Sequence, residues 1–236
     1  MLSVDKMIGP SFQQMWFVVQ GMRNPKNSWD KSDSYVMGDI SGDLDMYDVY
    51  DFCLGPKDIK LMQSLIKAGP EHRKFLRQMW LGLRITAPLY WWKEFDTYKI
   101  GTTSNSCSTM HTLMDQPFTM DMFSTEELDK PMRDQFKRLV NILEVLRQIY
   151  KEGGILDGIR YEPKSKEVWY MIIQMLPSSF NQTRNISMNY ETVLNILNQR
   201  KGHKLNNEWG QLWLELSCIP YVGIFKDFFE TDEGEK

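Results

Sequence analysis

The segment from Thr102 to Thr109 has the residue types best suited to binding a ligand, since its eight consecutive residues are small or carry amides. Their hydroxyls, amide groups and backbone N–H groups could bind phosphates or the edge of a heteroaromatic ring. Aromatic residues that could flank a planar ligand come just before it: Tyr90, Trp91, Trp92, Phe95 and Tyr98. The alternative is a Ser/Thr-rich loop after an aromatic core helix, and composition alone favours that alternative.

Cys107 lies within this segment and is a candidate nucleophile. A reactive thiol needs a neighbouring base or cation, and Lys99 and His111 are near it in the sequence. An inert thiol is the simpler interpretation, because nothing in the sequence places either group against the sulfur.

The sequence contains none of the common metal or catalytic motifs. His72, His111 and His203 are isolated from one another and from any pair of cysteines, so no zinc site is predicted. The spacings G-x-S-x-G, G-x-x-x-x-G-K-[ST] and G-x-G-x-x-G are also missing. A serine hydrolase, a P-loop protein and a Rossmann domain therefore lose their main support.

Composition narrows the class of protein. The 236 residues include 28 Lys and Arg against 31 Asp and Glu, a net charge of −3, which argues against binding nucleic acid chiefly by charge. No apolar run approaches the ~20 residues needed to span a bilayer, and residues 1–7 do not resemble a signal peptide. With three widely spaced cysteines, these features predict a cytoplasmic protein without a nucleic-acid or membrane partner. The 12 Phe, 10 Tyr, 8 Trp and 16 Met fit either a bulky core or rings that line a cleft.

Hydrophobic spacing predicts the elements that position the polar segment. Alternation over 81–86 predicts a β-strand, and Pro88 then begins a predicted helix over 89–98. Residues 182–188 alternate as a second strand, whereas 29–51 lack periodicity and are predicted to be a loop.

Apolar residues three and four positions apart predict further amphipathic helices: 58–69, 124–153, 165–176, 189–200 and 209–216. Ser124 and Glu127 form a capping-box pattern at the start of the longest of these, and Asn189 is the predicted N-cap of a later one. More helix than strand, in mixed order, predicts one α+β domain over 1–236, with a frayed acidic tail at 229–236.

Three patterns, in order along the chain, resemble motifs of the flavin-dependent thymidylate synthases, the ThyX family. The first pattern is ITAPLY at 85–90 together with NSCSTM at 105–110. At the corresponding place the family has a strand, an Ala-Pro step and a helix, followed by the motif R-H-R-x-x-S-x-N-E-x-S-x-R. The second is Leu-Pro at 176–177 followed by 189–200, similar to the family's L-P and its Asn-centred helix ending in Leu-x-x-Arg. The third is Glu208, eight residues after that arginine, which matches the family's R…Q-x-E-I ending.

The chain departs from the family at several arginines. Thr97-Tyr98-Lys99 stands where the family has R-H-R, Met110 replaces the last arginine of that motif, and Glu191 replaces the arginine of an Asn-x-Arg pair. A lysine acts only as a point charge and cannot bind a phosphate bidentately. Glu191 would add an unfavourable charge if it faced the same phosphate.

The resemblance implies helices packed around a mixed or antiparallel sheet and assembly as a homotetramer with FAD between subunits. Members of the family reduce FAD with NADPH and transfer a methylene group from methylenetetrahydrofolate to dUMP without a cysteine nucleophile. The positions implied to lie near FAD are Tyr98, Lys99, Asn105, Asn189 and Lys204. The positions implied to hold the nucleotide are Ser108, Arg200 and Glu94.

Two hypotheses follow from the sequence. The first is an FAD-dependent thymidylate synthase, or a variant that methylates another pyrimidine nucleotide. It is favoured by the retained Asn105, Ser108, Asn189 and Arg200. The second, favoured by the missing arginines, is a non-catalytic flavin- or nucleotide-binding protein, or an assembly protein, that keeps only the scaffold. No catalytic side chain and no metal ligand is predicted.

Overall fold

Helices and strands follow one another in mixed order along the chain, in a computed structural model that describes residues 1–37 and 51–226. The helices of these residues are α1 (Phe12–Arg23), α2 (Pro56–Lys67), α3 (Leu89–Phe95), α4 (Thr109–Thr112), α5 (Lys130–Glu152), α6 (Lys166–Met175), α7 (Tyr190–Gln199) and α8 (Asn206–Leu216). The strands are β1 (Ser3–Ile8), β2 (Tyr35–Met37), β3 (Asp51–Cys53), β4 (Trp80–Pro88), β5 (Thr102–Ser106), β6 (Gly154–Leu156), β7 (Ile159–Tyr161) and β8 (Asn181–Asn189). This mixture confirms the predicted α+β fold class.

Strands β1, β4, β8 and β5 form the main sheet in that order. Two further pairs, β2 with β3 and β6 with β7, are antiparallel, and in the first of them Val36 lies opposite Phe52. The predicted loop over 29–51 therefore includes strand β2, and 38–50 lie outside the described residues. Among the described helices, none has both the length and the apolar character that crossing a bilayer requires.

The described residues form two compact units. The first unit contains Met1–Ser3, Ile85–Thr97 and Asn105–Asn185. The second unit contains the described residues of Val4–Arg84, Tyr98–Ser104 and Ile186–Lys236. The single domain over 1–236 stays a prediction, and the predicted tail at 229–236 lies outside the described residues.

Helix α5 organises the core of the first unit. Its apolar residues recur three and four positions apart and so share one face, and α5 packs against α6. Leu143 of α5 and Ile172 of α6 are fully buried in this core. The helix ends where predicted, because Gly153 adopts a φ of 77° that other residues rarely reach.

Helix α5 begins later than the capping-box pattern predicts. Its N-cap is Asp129, whose side chain accepts a hydrogen bond from the backbone N–H of Met132 at 2.9 Å. Pro131 lies in the first turn, where its missing N–H is not needed. The predicted cap, Ser124, instead donates its hydroxyl to Asn181 Oδ1 at 2.8 Å. The prediction was wrong because two start signals lie close together and Asp129 with Pro131 is the stronger one.

A buried ion pair joins α1 to α2 in the second unit. The side chains of Arg23 and Asp58 are 5% and 0% exposed, and their closest N···O distance is 2.6 Å. The hydroxyls of Ser32 and Ser34 also donate to Asp58, each at 2.6 Å. Burial opposes the charge of the Asp58 carboxylate, but the hydrogen bonds from the serines and Arg23 outweigh it and hold its pKa below the usual value.

We expect Asp58→Ala to lower the free energy of unfolding by about 3–5 kcal/mol, because the Arg23 guanidinium would stay buried without its carboxylate. Asp5→Ala is the control: Asp5 pairs with Arg84 at 4.0 Å and both side chains are about half exposed. Such a pair contributes about 0–1 kcal/mol. Urea unfolding followed by circular dichroism measures both variants, and equal losses in the two would contradict the role given to the buried pair.

Candidate functional site

The residues that the resemblance implies as ligand-binding occur in both units. Those of the first unit are Glu94, Asn105 and Ser108. Those of the second unit are Tyr98, Lys99, Asn189, Arg200 and Lys204. Within the first unit Ser108 lines a cavity, and within the second Tyr98 and Arg200 are in contact. Glu94 is partly buried on α3, whereas Asn105, Lys99 and Lys204 are exposed.

The polar segment from Thr102 to Thr109 is not a loop. Thr102–Ser106 form β5, which neighbours β8 in the main sheet. Ser108 is the N-cap of the short helix α4, and its Oγ accepts a hydrogen bond from the backbone N–H of His111 at 3.3 Å. The loop interpretation was wrong because strand pairing supplies partners that composition does not reveal.

Trp91, Trp92 and Phe95 of α3 are core residues and do not line a cleft, whereas Tyr90 of the same helix is partly buried. Trp91 and Trp92 are fully buried and Phe95 is 1% exposed. Trp91 stacks with Phe95 at a centroid distance of 5.1 Å, and Trp92 meets Phe95 edge-on at 5.5 Å. The helix ends at Phe95, so the predicted extension to Tyr98 was wrong.

A cavity of about 320 Å³ lies beside α4 in the first unit. Its lining includes hydroxyl and amide side chains: Ser108, Thr109, Thr112, Gln116, Asn181, Gln182 and Thr183. Leu113, Met122 and Phe180 supply apolar surface, and Asp115 supplies a carboxylate. A volume of this size is at the small end of cavities that bind ligands.

The wall of the cavity at 107–112 is held by short hydrogen bonds. The backbone N–H of Cys107 donates to the carbonyl of Thr183 on β8 at 2.9 Å, and the Thr112 hydroxyl donates to the carbonyl of Ser108 at 2.7 Å. The Cys107 sulfur lies 3.6 Å from the Thr112 hydroxyl. A hydroxyl does not activate a thiol, so this contact favours the inert interpretation of Cys107.

Gln182 forms hydrogen bonds that connect this wall to the neighbouring elements. Its Nε2 donates to the carbonyl of Cys107 at 2.8 Å, and its Oε1 accepts from Arg184 Nε at 2.9 Å. Arg184 also pairs with Asp96 at 2.8 Å and lies 4.3 Å above the ring of Trp92. Trp92 Nε1 donates to the backbone carbonyl of Gln182 at 2.9 Å. Sequence reasoning missed Gln182 and Arg184, because their partners are distant in the chain.

Helix α5 fixes the segment that carries Asp115. Glu144 on this helix accepts hydrogen bonds from the backbone N–H of Phe118 and from Arg147, each at 2.7–2.8 Å. Arg147 in turn donates to the carbonyl of Met114 at 3.3 Å. The hydrogen bonds from Arg147 outweigh burial and lower the pKa of Glu144 from 4.5 to about 2. The charged form of Glu144 therefore holds this side of the cavity.

Arg200 belongs to an aromatic cluster in the second unit. Its Nε donates to the Tyr98 hydroxyl at 2.9 Å, and that hydroxyl donates to Gln199 at 3.0 Å. The guanidinium centre lies 5.3 Å from the ring centroid of Tyr98 and 4.5 Å from that of Trp209. These are distances at which a cation is attracted to a ring face, so Arg200 has a structural role in this cluster.

Asn189 caps α7 as predicted. Its Oδ1 accepts hydrogen bonds from the backbone N–H and the hydroxyl of Thr192, at 2.9 and 3.1 Å. Its own backbone N–H donates to the carbonyl of Gly101 at 3.0 Å. Gly101 has a φ of 74°, and a Cβ there would lie 2.2 Å from Asn189 Nδ2. Asn189 therefore needs glycine at 101.

The charge of Glu191 is compensated within the second unit. Its carboxylate accepts hydrogen bonds from Arg73 at 3.1 Å and from Arg77 at 2.5 Å. Burial opposes this charge, but the two arginines hold the pKa of Glu191 below its usual value. The sequence showed only the loss of an arginine at this position, and the two compensating arginines were not foreseen.

The fold is similar to that of thymidylate synthase X (ThyX) from Helicobacter pylori in a crystal structure with FAD and dUMP. The TM-score is 0.63 at 15% sequence identity, over 96% of this chain and 98% of that chain. A structure of flavin-dependent thymidylate synthase ThyX from Helicobacter pylori, complexed with FAD and dUMP, gives 0.62 at 16% identity with the same coverage. No family model and no curated protein matches the chain. The chain thus has the ThyX-like α+β fold that the sequence resemblance implied.

No three His, Cys, Asp or Glu side chains of residues 1–37 and 51–226 converge as metal ligands.

We expect Glu144→Gln to lower the free energy of unfolding at pH 7 by about 1.5–3 kcal/mol, the range for hydrogen bonds to a charged group. The folded pKa of about 2 lies below the usual 4.5, so this stabilisation is complete above pH 4.5 and is lost as the pH falls towards 2. Urea unfolding from pH 7 to pH 2.5 measures the difference. Asp134→Asn, on an exposed position of the same helix, is the control, and a difference that stays constant with pH would contradict the assignment.

We expect Arg200→Met to destabilise the chain by about 1–3 kcal/mol, because it removes two guanidinium–ring contacts and one hydrogen bond. Tyr98→Phe keeps the ring and removes only the hydroxyl, so its cost is about 0.5–1.5 kcal/mol. Thermal unfolding of both variants checks the order of the two effects. Wild-type stability in Arg200→Met would show that the cluster does not form.

Proposed function

We propose that the chain is a flavin-dependent one-carbon transferase of the thymidylate synthase type. FAD is the cofactor, NADPH is the reductant, and methylenetetrahydrofolate donates the carbon to dUMP or a related pyrimidine nucleotide. The observation that carries the proposal is the fold match, which extends over 96% of this chain and 98% of a ThyX chain crystallised with FAD and dUMP. The three sequence motifs that resemble the family, in the same order, support it.

The cavity beside Ser108 is the proposed acceptor site. Its hydroxyl and amide groups suit the donors and acceptors on the edge of a pyrimidine ring. Glu94 of the same unit and Arg200 of the second unit are proposed for the nucleotide on the sequence resemblance alone. The Gln182–Arg184 link would position the wall that carries Ser108, since it holds the carbonyl next to that residue.

FAD is proposed to be held by Tyr98, Lys99, Asn105, Asn189 and Lys204. The fit rests on exposure: the Lys99, Asn105 and Lys204 side chains all lie at the surface, so amines and an amide are open to a ligand. Lysines would offset the charge of the pyrophosphate as point charges. FAD would supply the electron transfer when bound, and the residues of the chain would bind and orient the ring and the acceptor.

A homotetramer in the cytoplasm is part of the proposal. Large apolar side chains on α1 support an interface between subunits, since Trp16 is 46% and Phe17 62% exposed. Neighbouring exposed rings of this kind are typical of interaction surfaces.

The second candidate function is a non-catalytic flavin- or nucleotide-binding protein, or an assembly protein, on the same scaffold. The observation that favours it is the Glu191 cluster. Its carboxylate engages Arg73 and Arg77 where the resemblance would put an arginine, so both guanidinium groups already have a carboxylate partner.

We expect the purified chain to carry, or to bind when added, a flavin with visible absorbance that NADPH bleaches. Lys99→Met should weaken FAD binding about five- to tenfold, because one charge-assisted contact contributes about 1–1.5 kcal/mol. Lys93→Met is the matched control, since Lys93 is also exposed but lies on α3 and is given no role. Equilibrium titration of FAD fluorescence measures all three proteins.

Turnover is measured by release of the C5 proton of dUMP in the presence of NADPH and methylenetetrahydrofolate. A chain that binds FAD but releases no proton from any pyrimidine nucleotide supports the non-catalytic candidate. A chain that binds neither FAD nor a nucleotide refutes the proposed function.

A further inference from the structure

Arg73 and Arg77 both bind the carboxylate of Glu191, and part of each guanidinium group has no partner. Arg73 uses only Nε, which donates to Glu191 Oε1 at 3.1 Å. Arg77 donates to Glu191 through Nε and Nη2, and Nη2 also reaches the carbonyl of Pro70 at 3.4 Å. Within residues 1–37 and 51–226, no acceptor is bonded to Nη1 or Nη2 of Arg73 or to Nη1 of Arg77.

Burial makes these uncommitted donors significant. The side chain of Arg73 is 12% exposed, whereas that of Arg77 is 48% exposed. A charged group that is largely removed from water is costly unless its donors find acceptors. Nη1 and Nη2 of Arg73 form the outer end of a planar fork, a geometry that can bind two oxygens of one phosphate. These donors therefore suit an oxyanion from outside the chain.

Backbone and core contacts hold the two arginines in place. Phe75 and Leu76 are buried, and they anchor the short helical turn that lies between the arginines. The backbone N–H of Tyr190, the first residue of α7, donates to the carbonyl of Met79 at 3.1 Å. The start of α7 is thereby fixed to the segment that follows the turn. A preorganised pair of guanidinium groups loses less entropy when it binds a ligand.

The charges around the two arginines leave an excess of one positive charge. Glu191 is shared by both guanidinium groups. Lys74 in the same turn is exposed and adds a cation, whereas the exposed Glu71 adds an anion. The hydrogen bond with Glu191 raises the pKa of Arg77, and the charge of Glu71 adds to this shift. An anion that approaches the outer nitrogens therefore meets a positive surface, with Glu71 as the group that opposes it.

The position of the arginines in the fold indicates which anion they meet. Asn189, one of the residues proposed to hold FAD, caps α7 two positions before Glu191. We infer that the outer nitrogens of Arg73 and Arg77 bind a phosphate group of a nucleotide ligand, and that this group is the pyrophosphate of FAD. The inference rests on the proposed function for the identity of the ligand. It supplies the bidentate contact that a lysine cannot make.

The test compares FAD with riboflavin, which has the same ring and no phosphate, by titration of flavin fluorescence on the full chain. We expect Arg73→Gln to weaken FAD about tenfold or more, because hydrogen bonds between charged groups are lost. The same change should alter the Kd of riboflavin less than about twofold. Arg77→Gln, at a half-exposed position, should act in the same direction.

Two further variants sharpen the comparison. Glu71→Gln should tighten FAD about two- to threefold, because it removes a repulsion that solvent partly screens. Arg138→Gln, on an exposed position of α5, is the control and should change neither ligand. Glu191 keeps one guanidinium partner in either single arginine variant, so both variants should fold, and circular dichroism checks this.

A parallel calorimetric titration with dUMP identifies the nucleotide. A loss of FAD affinity with dUMP unchanged supports the pyrophosphate of FAD. A loss of dUMP affinity with FAD unchanged overturns that assignment and gives the arginines to the phosphate of the acceptor.

Equal FAD affinity in wild type and both arginine variants overturns the inference and leaves the proposed function intact. Equal losses of FAD and riboflavin would show an effect on the fold and would also overturn the inference. A chain that binds neither FAD nor a nucleotide refutes the proposed function, and calorimetry with inorganic pyrophosphate then tests the arginines alone. Pyrophosphate binding that Arg73→Gln weakens supports the site, whereas equal binding or none overturns it.

Discussion

The buried amide of Gln182 is the interaction on which the candidate site depends. A buried amide must find partners for its carbonyl and its NH₂ group, because an unpaired polar group in the interior is costly. The NH₂ group of Gln182 donates a hydrogen bond to the carbonyl of Cys107, and its side-chain oxygen accepts one from Arg184. The backbone carbonyl of Gln182 accepts a hydrogen bond from the indole N–H of Trp92. Helix α3, strand β8 and the 107–112 wall are thereby fixed relative to one another, so the shape of the cavity is set before any ligand arrives.

Each unit contains an arginine that is paired with a well-shielded carboxylate. Arg147 pairs with Glu144 in the first unit, and Arg23 with Asp58 in the second. A carboxylate whose pKa is held low stays charged at neutral pH, and its arginine is then balanced locally. In the first unit, the arginines that hold the cavity wall are therefore paired with their own carboxylates, and Asp115 is the carboxylate of the lining itself. Rigid hydrogen-bonding groups select a ligand by shape and by donor–acceptor pattern, whereas attraction between charges selects by charge alone and weakens with salt.

Local periodicity predicted the elements that pack by one face. Helices α5 and α7 and the strands β4 and β8 were found from spacing, because burial of one face imposes a period of 3.6 or 2 residues. Strand β5 was missed because its partner β8 is distant in the sequence and its own residues are polar on both faces. The same reason explains which residues of the candidate site the sequence could and could not indicate. Ser108 was predicted from its match to a local family motif and stays a prediction, whereas Arg184 contacts Asp96 and Trp92, 88 and 92 residues away in the chain.

The aromatic residues of α3 that are buried lie one layer behind the lining of the cavity. Trp91, Trp92 and Phe95 are buried, so they cannot stack on a planar ligand, and the choice between a bulky core and a ring-lined cleft is resolved for them in favour of the core. Trp92 nevertheless contributes to the site, because its ring face supports the Arg184 guanidinium and its N–H fixes Gln182. In the second unit Tyr98 and Trp209 hold Arg200 in the same way. A ring face beside an arginine keeps the planar guanidinium in one geometry. The side chain then loses less entropy when it binds a ligand. A protein with few arginines near its proposed ligand site gains most when each guanidinium is held in this manner.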